Sequence, residues 1–163
     1  MLCVIELADS EKFPVFHQAQ LQVHSDLYQL ANQVLPWFDQ LYQSSIPSGI
    51  WLRCKLALAE AFSNAVRHAH RELPTETLIK IEVAVDEEYL ELRVWDAGPS
   101  FNFQAKLQEE LAVSNLEGGG GRGIKLMYDI ADELSYNRTA QQQNCLLLRK
   151  YYVSDSSASP QSF

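Results

Sequence analysis

A chain of 163 residues, 47% of them apolar, is long enough for one domain with its own core. Its 13 Lys+Arg against 21 Asp+Glu leave a formal charge of −8, which disfavours a phosphate backbone or an anionic bilayer and sets aside direct nucleic-acid and membrane binding. Cys3, Cys54 and Cys145 form no C-x-x-C pair, and MLCVIELADSEK lacks a basic region and a long apolar run, so a reduced, cytoplasmic protein without a disulfide framework, zinc site or signal peptide is expected.

The first 20 residues carry one apolar run, residues 2–7, which suits a strand or a loose extension equally; they are set apart as an N-terminal extension with no assigned role. From Ser25 the spacing turns helical. Leu27, Leu30, Ala31, Val34, Phe38 and Leu41 recur at three and four, Ser25 or Asp26 can cap the first turn, and Pro36 should kink the helix. SSIPSG is a turn, after which Ser48 can cap a second helix from about residue 50 to residue 70, closed by Pro74. Ile79, Ile81, Val83 and Val85 then alternate with polar residues, and after Asp86, Glu87 and Glu88 the alternation resumes at Leu90, Leu92 and Val94. This is a hairpin with one buried face. DAGPS breaks its second strand, and a polar stretch, read as a mobile loop with a short helix, leads to the glycine run EGGGGRG. A third helix follows through Ile124, Met127, Ile130, Ala131 and Leu134, and LSYNRT and CLLLRKYYV make two more strands around AQQQN. Residues 154–163 are disordered by composition. Grouped helices beside antiparallel strands predict one α+β domain over residues 21–153, a two-layer sandwich of a mixed, mostly antiparallel sheet packed on helices.

Three stretches carry candidate chemistry. Projected at 100° per residue, the second helix turns Cys54, Leu58, Ala61, Phe62, Ala65 and Val66 toward the sheet and leaves Arg53, Glu60, Asn64, Arg67 and His68 opposite. That polar stripe reads as a solvated face, or as a carboxylate and an amide oxygen stacked four apart that could share a metal or its water. Asp96, at the end of a strand and followed by Ala97, Gly98 and Pro99, reads as turn chemistry or as an acceptor for an exocyclic amine such as that of adenine. The run from Gly118 to Gly123, opening a helix, reads as a linker or as a cradle of backbone N–H groups for phosphate. No strand precedes its G-x-G-x-x-G, and Ile124 and Lys125 follow Gly123, so neither a dinucleotide fingerprint nor a Walker A loop is present.

The order of these elements resembles the GHKL (Bergerat-fold) ATPases, and within them the anti-sigma-factor serine kinases of bacterial partner-switching pathways. Glu60-Ala-Phe-Ser-Asn64-Ala-Val-Arg-His68-Ala69 resembles the first box of that group, Asp96-Ala-Gly98 its adenine box, and Gly121-Arg122-Gly123-Ile124-Lys125-Leu126-Met127 its glycine box. The resemblance implies ATP with Mg²⁺ as cofactors: Asn64 on the metal, Glu60 as base toward a seryl or threonyl hydroxyl, Asp96 and Gly98 at the adenine, and Gly119, Gly121, Arg122 and Gly123 along the phosphates. It also implies a regulatory protein partner, a sigma factor or its antagonist, and allows a homodimer. His68 reads equally as a family mark and as a packing or capping group. The pattern departs at Ser100, where a second glycine is common. Two other functions fit: a pure binding module shaped by nucleotide, and a histidine-kinase catalytic domain, for which His24 is the suggestive residue.

Overall fold

The computed structural model describes residues 3–4, 17–112 and 121–152. Their strands form one six-stranded sheet in which every neighbouring pair is antiparallel. In chain order these are β1 (Cys3–Val4), β2 (His17–His24), β3 (Leu78–Val85), β4 (Tyr89–Asp96), β5 (Glu133–Arg138) and β6 (Asn144–Tyr151). In space β6 lies between β4 and β5. The expected hairpin is β3/β4, with Ile81, Val83 and Val85 opposite Val94, Leu92 and Leu90, all six buried. Period-two alternation thus becomes one apolar face. β2 crosses residue 20, the expected edge of the extension: Ala19, Leu21 and Val23 alternate with Gln18, Gln20 and Gln22, whose side chains lie on the uncovered face. That face is polar, and on it the buried Glu91 carboxylate is held by Arg93 at 2.7 Å and Arg149 at 2.6 Å.

Helices cover the other face. α1 is a π-helical stretch, Leu30–Val34, running into the α-helical Leu35–Gln40. Pro36 sits in the first α-helical turn, so its missing N–H falls where the ladder has just been reset by the π turn. Asp26 does act locally, its Oδ1 accepting the Tyr28 N–H at 2.9 Å. α2 is α-helical over Ser48–Asn64 and π-helical over Ala65–Ala69. Ser48 does not cap it; Pro47 takes that position and its carbonyl accepts the N–H groups of Ile50 and Trp51. Of the predicted inward arc Cys54, Leu58, Ala61, Phe62 and Ala65 are buried and Val66 is half-buried, with Phe38 of α1 stacked on Trp51 at 4.1 Å. Among the described residues no helix is long and apolar enough to cross a membrane.

α3 (Phe103–Ala112) fills part of the stretch expected as loop, capped by Asn102, whose Oδ1 accepts the Ala105 N–H at 2.9 Å. α4 (Gly123–Ile130) buries Ile124, Met127 and Ile130. It stops four residues earlier than the periodicity suggests, since Ala131 is already extended and Leu134 belongs to β5. An apolar residue just past a helix continues the pattern without continuing the helix, which is why spacing alone overshot. The extension's remaining residues and the 154–163 tail lie outside the described residues.

Candidate functional site

A cavity of about 360 Å³ lies between the end of α2, the α3–α4 pair and the sheet. Asn64, Asp96, Gly121 and Gly123 line it, so the three sequence features converge on one space. Val94, Leu146 and Tyr136 supply an apolar floor from three adjacent strands. The size and mostly apolar lining with a few polar groups are those of a small-molecule site.

At the sheet end Asp96 closes β4 and is buried. Its Oδ1 accepts the Gly98 N–H at 2.9 Å and an Asn144 Nδ2 hydrogen at 2.7 Å, while its Oδ2 accepts none among the described residues. Asn144 is fully buried and donates also to the Gly98 carbonyl at 3.0 Å; Arg138 donates to that carbonyl at 2.9 Å and to Asn144 Oδ1 at 2.8 Å. One carboxylate oxygen is therefore fixed by the fold, and the other is not. The turn reading of Asp96 is realised on Oδ1, and Oδ2 is the oxygen on which the acceptor reading would fall.

Gly98 has a second reason to be glycine. A Cβ there would sit on the Ala69 carbonyl oxygen, with the Ala69 carbonyl carbon at 2.7 Å and its Cα at 2.8 Å. The obstructing atoms are backbone and cannot rotate away, so Gly98→Ala must push apart α2 and the end of β4. A loss of about 1–3 kcal/mol is expected, read as a fall in melting temperature of roughly 2–4 °C per kcal/mol in a chain of this size. An unshifted melt would mean that the two segments are not held this closely.

The residue after Ala69, His70, is buried, and its Nε2 accepts the Ala97 N–H at 2.9 Å. An acceptor at Nε2 requires the neutral imidazole with its proton on Nδ1. Burial pulls the His70 pKa below its ordinary 6.5, and the Asp96 carboxylate partly opposes this. The unfolded chain therefore takes up the proton first as pH falls. This part of the stability is complete above about pH 6.5 and declines below it, until the lower folded value is passed. Thermal melts between pH 7 and pH 5 should fall more steeply for the wild type than for His70→Gln, whose amide oxygen still accepts but does not titrate.

At the opposite end α4 begins against α2. A Cβ on Gly123 would lie 2.5 Å from Glu60 Oε2 and 3.3 Å from Asn64 Nδ2, so the carboxylate and amide of α2 point at the first residue of α4. Glu60 is half-buried and makes no hydrogen bond or ion pair among the described residues. Gly121 has φ +100°, a conformation that only glycine adopts cheaply, and Arg122 takes the N-cap position with φ −107°. Gly119 lies outside the described residues. His68 is exposed at the cavity wall, which sets aside a packing role, and His24 is exposed at the end of β2.

Several lining groups were not singled out from the sequence. Glu110 of α3 is buried, and its Oε2 accepts the Lys125 N–H at 2.8 Å, so a carboxylate already complements the first turn of α4. Phe101 and Phe103 pack on Tyr136, and Lys106 joins the wall. Asn144, Arg138 and His70 hold the Asp96 turn. None belongs to a local motif: Asn144 and Arg138 meet the turn across 40 or more positions of chain.

A buried strand-end carboxylate with one free oxygen, facing a glycine-opened helix across a small cavity, defines a nucleotide-binding α+β domain. Residues 23–150 match the family model described as histidine kinase-like ATPase domain, and the chain belongs to that family. ATP is the ligand this membership implies. The chain is similar to the serine-protein kinase RsbW of Bacillus licheniformis, 36% identical over 86 residues that cover 49% of this chain and 53% of the relative. The RsbW of Bacillus subtilis is 37% identical over 86 residues, covering 49% and 52%, and that of Oceanobacillus iheyensis 28% over 107 residues, covering 62% and 65%. The match thus spans about half the length of the Bacillus relatives.

Proposed function

We propose that the chain is an ATP-dependent protein serine/threonine kinase of the anti-sigma type, acting in the cytoplasm, which holds a transcription-regulatory partner and phosphorylates that partner's antagonist. The observation that carries this is the Glu60 carboxylate, without a partner among the described residues, against Gly123 and beside Asn64, both of which line the cavity that Asp96 closes at its other end. With adenine at Asp96, the triphosphate runs toward Gly121, Arg122 and Gly123, and the terminal phosphate comes to Glu60. A protein hydroxyl entering there gives its proton to Glu60 as its oxygen bonds to phosphorus and the bond to ADP breaks.

The residues present fit Mg²⁺. Glu60 Oε2 and the Asn64 amide lie together at one edge, neither hydrogen-bonded among the described residues, and Mg²⁺ is commonly held by one or two side chains with phosphates and waters. Among the described residues no three His, Cys, Asp or Glu gather, so Asn64 would hold the ion together with the phosphates. When bound, the ion neutralises the triphosphate and orients it. The serine-protein kinase name of the relatives supports phosphoryl transfer to a protein. Incubation with Mg²⁺-ATP and candidate antagonist proteins, followed by phosphosite mapping, tests the proposal: a phosphoserine or phosphothreonine is expected on one retained partner. ATP binding without transfer to any of them would leave only a nucleotide-shaped binding module.

A further inference from the structure

Three aromatic rings close the sheet end of the cavity. Tyr136 stacks on Phe103 with centroids 5.7 Å apart and planes at 12°, and Phe101 leans on it at 4.7 Å. Tyr136 belongs to the row Val94–Leu146–Tyr136, and two residues further along the strands comes the row Asp96–Asn144–Arg138 on the same face. Its hydroxyl is buried beside the Asp96 and Asn144 side chains without a well-formed hydrogen bond to either, and the residue lines the cavity.

Apart from Asp96 Oδ2, the polar groups around that hydroxyl are already committed. Asn144 gives its amide hydrogens to Asp96 and the Gly98 carbonyl and receives Arg138 on its oxygen, and Asp96 Oδ1 is doubly occupied. Burial and the adjacent Asp96 carboxylate both raise the Tyr136 pKa, so the hydroxyl keeps its proton and is a donor. A buried hydroxyl without a partner is a cost that a ligand acceptor would remove.

We infer that Tyr136 is a second base-reading residue, its hydroxyl donating to ring nitrogen N1 of a 6-aminopurine whose exocyclic amine donates to the free oxygen of Asp96. The adenine edge presents a donor beside an acceptor, and Asp96 with Tyr136 presents the complement. A 6-oxopurine places an acceptor against the carboxylate and an N–H against the hydroxyl, so the pair selects adenine over guanine. This rests on the cavity being the ATP site.

The test is a binding cycle by calorimetry, with wild type and Tyr136→Phe each titrated with ATP and with 1-deaza-ATP, which keeps the amine but has C–H in place of N1. Loss of one neutral hydrogen bond should raise the Kd for ATP about five- to tenfold in Tyr136→Phe. Wild type should lose a similar factor on 1-deaza-ATP, and the variant should bind the two nucleotides alike. Equal ATP affinity in both proteins, or losses that multiply when variant and analogue are combined, overturns the inference while leaving the ATP site standing. No ATP binding by the wild type removes the site reading and the inference together. Unliganded Tyr136→Phe should melt at or above the wild type, since it sheds a partnerless hydroxyl. A lower melting temperature would show the hydroxyl already bonded within the fold, and the inference fails.

Discussion

Glu60→Gln is expected to lower phosphoryl transfer to a protein hydroxyl by roughly 10²–10⁴-fold, the usual worth of a positioned general base. The substitution keeps the shape and one oxygen of the side chain that lies against Gly123, and Glu60 makes no bond that holds the fold among the described residues. The ATP dissociation constant should therefore move little, so kcat falls while nucleotide binding survives. Single-turnover phosphate transfer and equilibrium ATP binding, measured on the same preparations, separate the two. Parallel loss of both would place Glu60 in nucleotide binding and remove it as the base.

The second large effect is at Asp96→Asn. Asp96 Oδ1 receives hydrogens from Gly98 and Asn144, so an amide oxygen must stay at that position. The new NH₂ then takes the place of the free oxygen and meets the adenine amine donor to donor. If the amide instead turns round, its NH₂ faces the Gly98 and Asn144 donors inside the protein. Either orientation loses a charge-assisted hydrogen bond and leaves donors unpaired, for a total near 3 kcal/mol, or about 10²-fold in ATP affinity. A titration showing ATP affinity within twofold of wild type would mean that the base lies elsewhere.

Much of this was legible in the chain itself because the features are local. Alternation in β3 and β4, the inward arc of α2 and the order of Glu60, Asn64, Asp96 and the glycines depend on neighbours within a few positions. β2 was obscured because its outward residues include glutamines and its apolar residues number only three, so the strand reads like polar sequence. The clamp on Asp96 was invisible for another reason. Asn144 and Arg138 reach it across two strand pairings, and nothing in QQNCLLL marks the asparagine as buried. Gly98 was noticed as a glycine beside a ligand, whereas the contact that forbids a side chain there is with the backbone of Ala69. The π turn that brings Ala69 to that place leaves no trace in residue periodicity.

The sheet order also bears on how the protein matures. Among the described residues β5 joins the sheet only through β6, and β6 supplies Asn144, which fastens Asp96 from 48 positions away. During synthesis β3, β4 and α2 emerge first and can pack, yet Tyr136 has no strand to lie beside until β6 threads in between. Contacts of such long sequence separation form late because loop closure must precede them. A nascent chain that stops short of Asn144 therefore lacks the hydrogen bond that fixes Asp96.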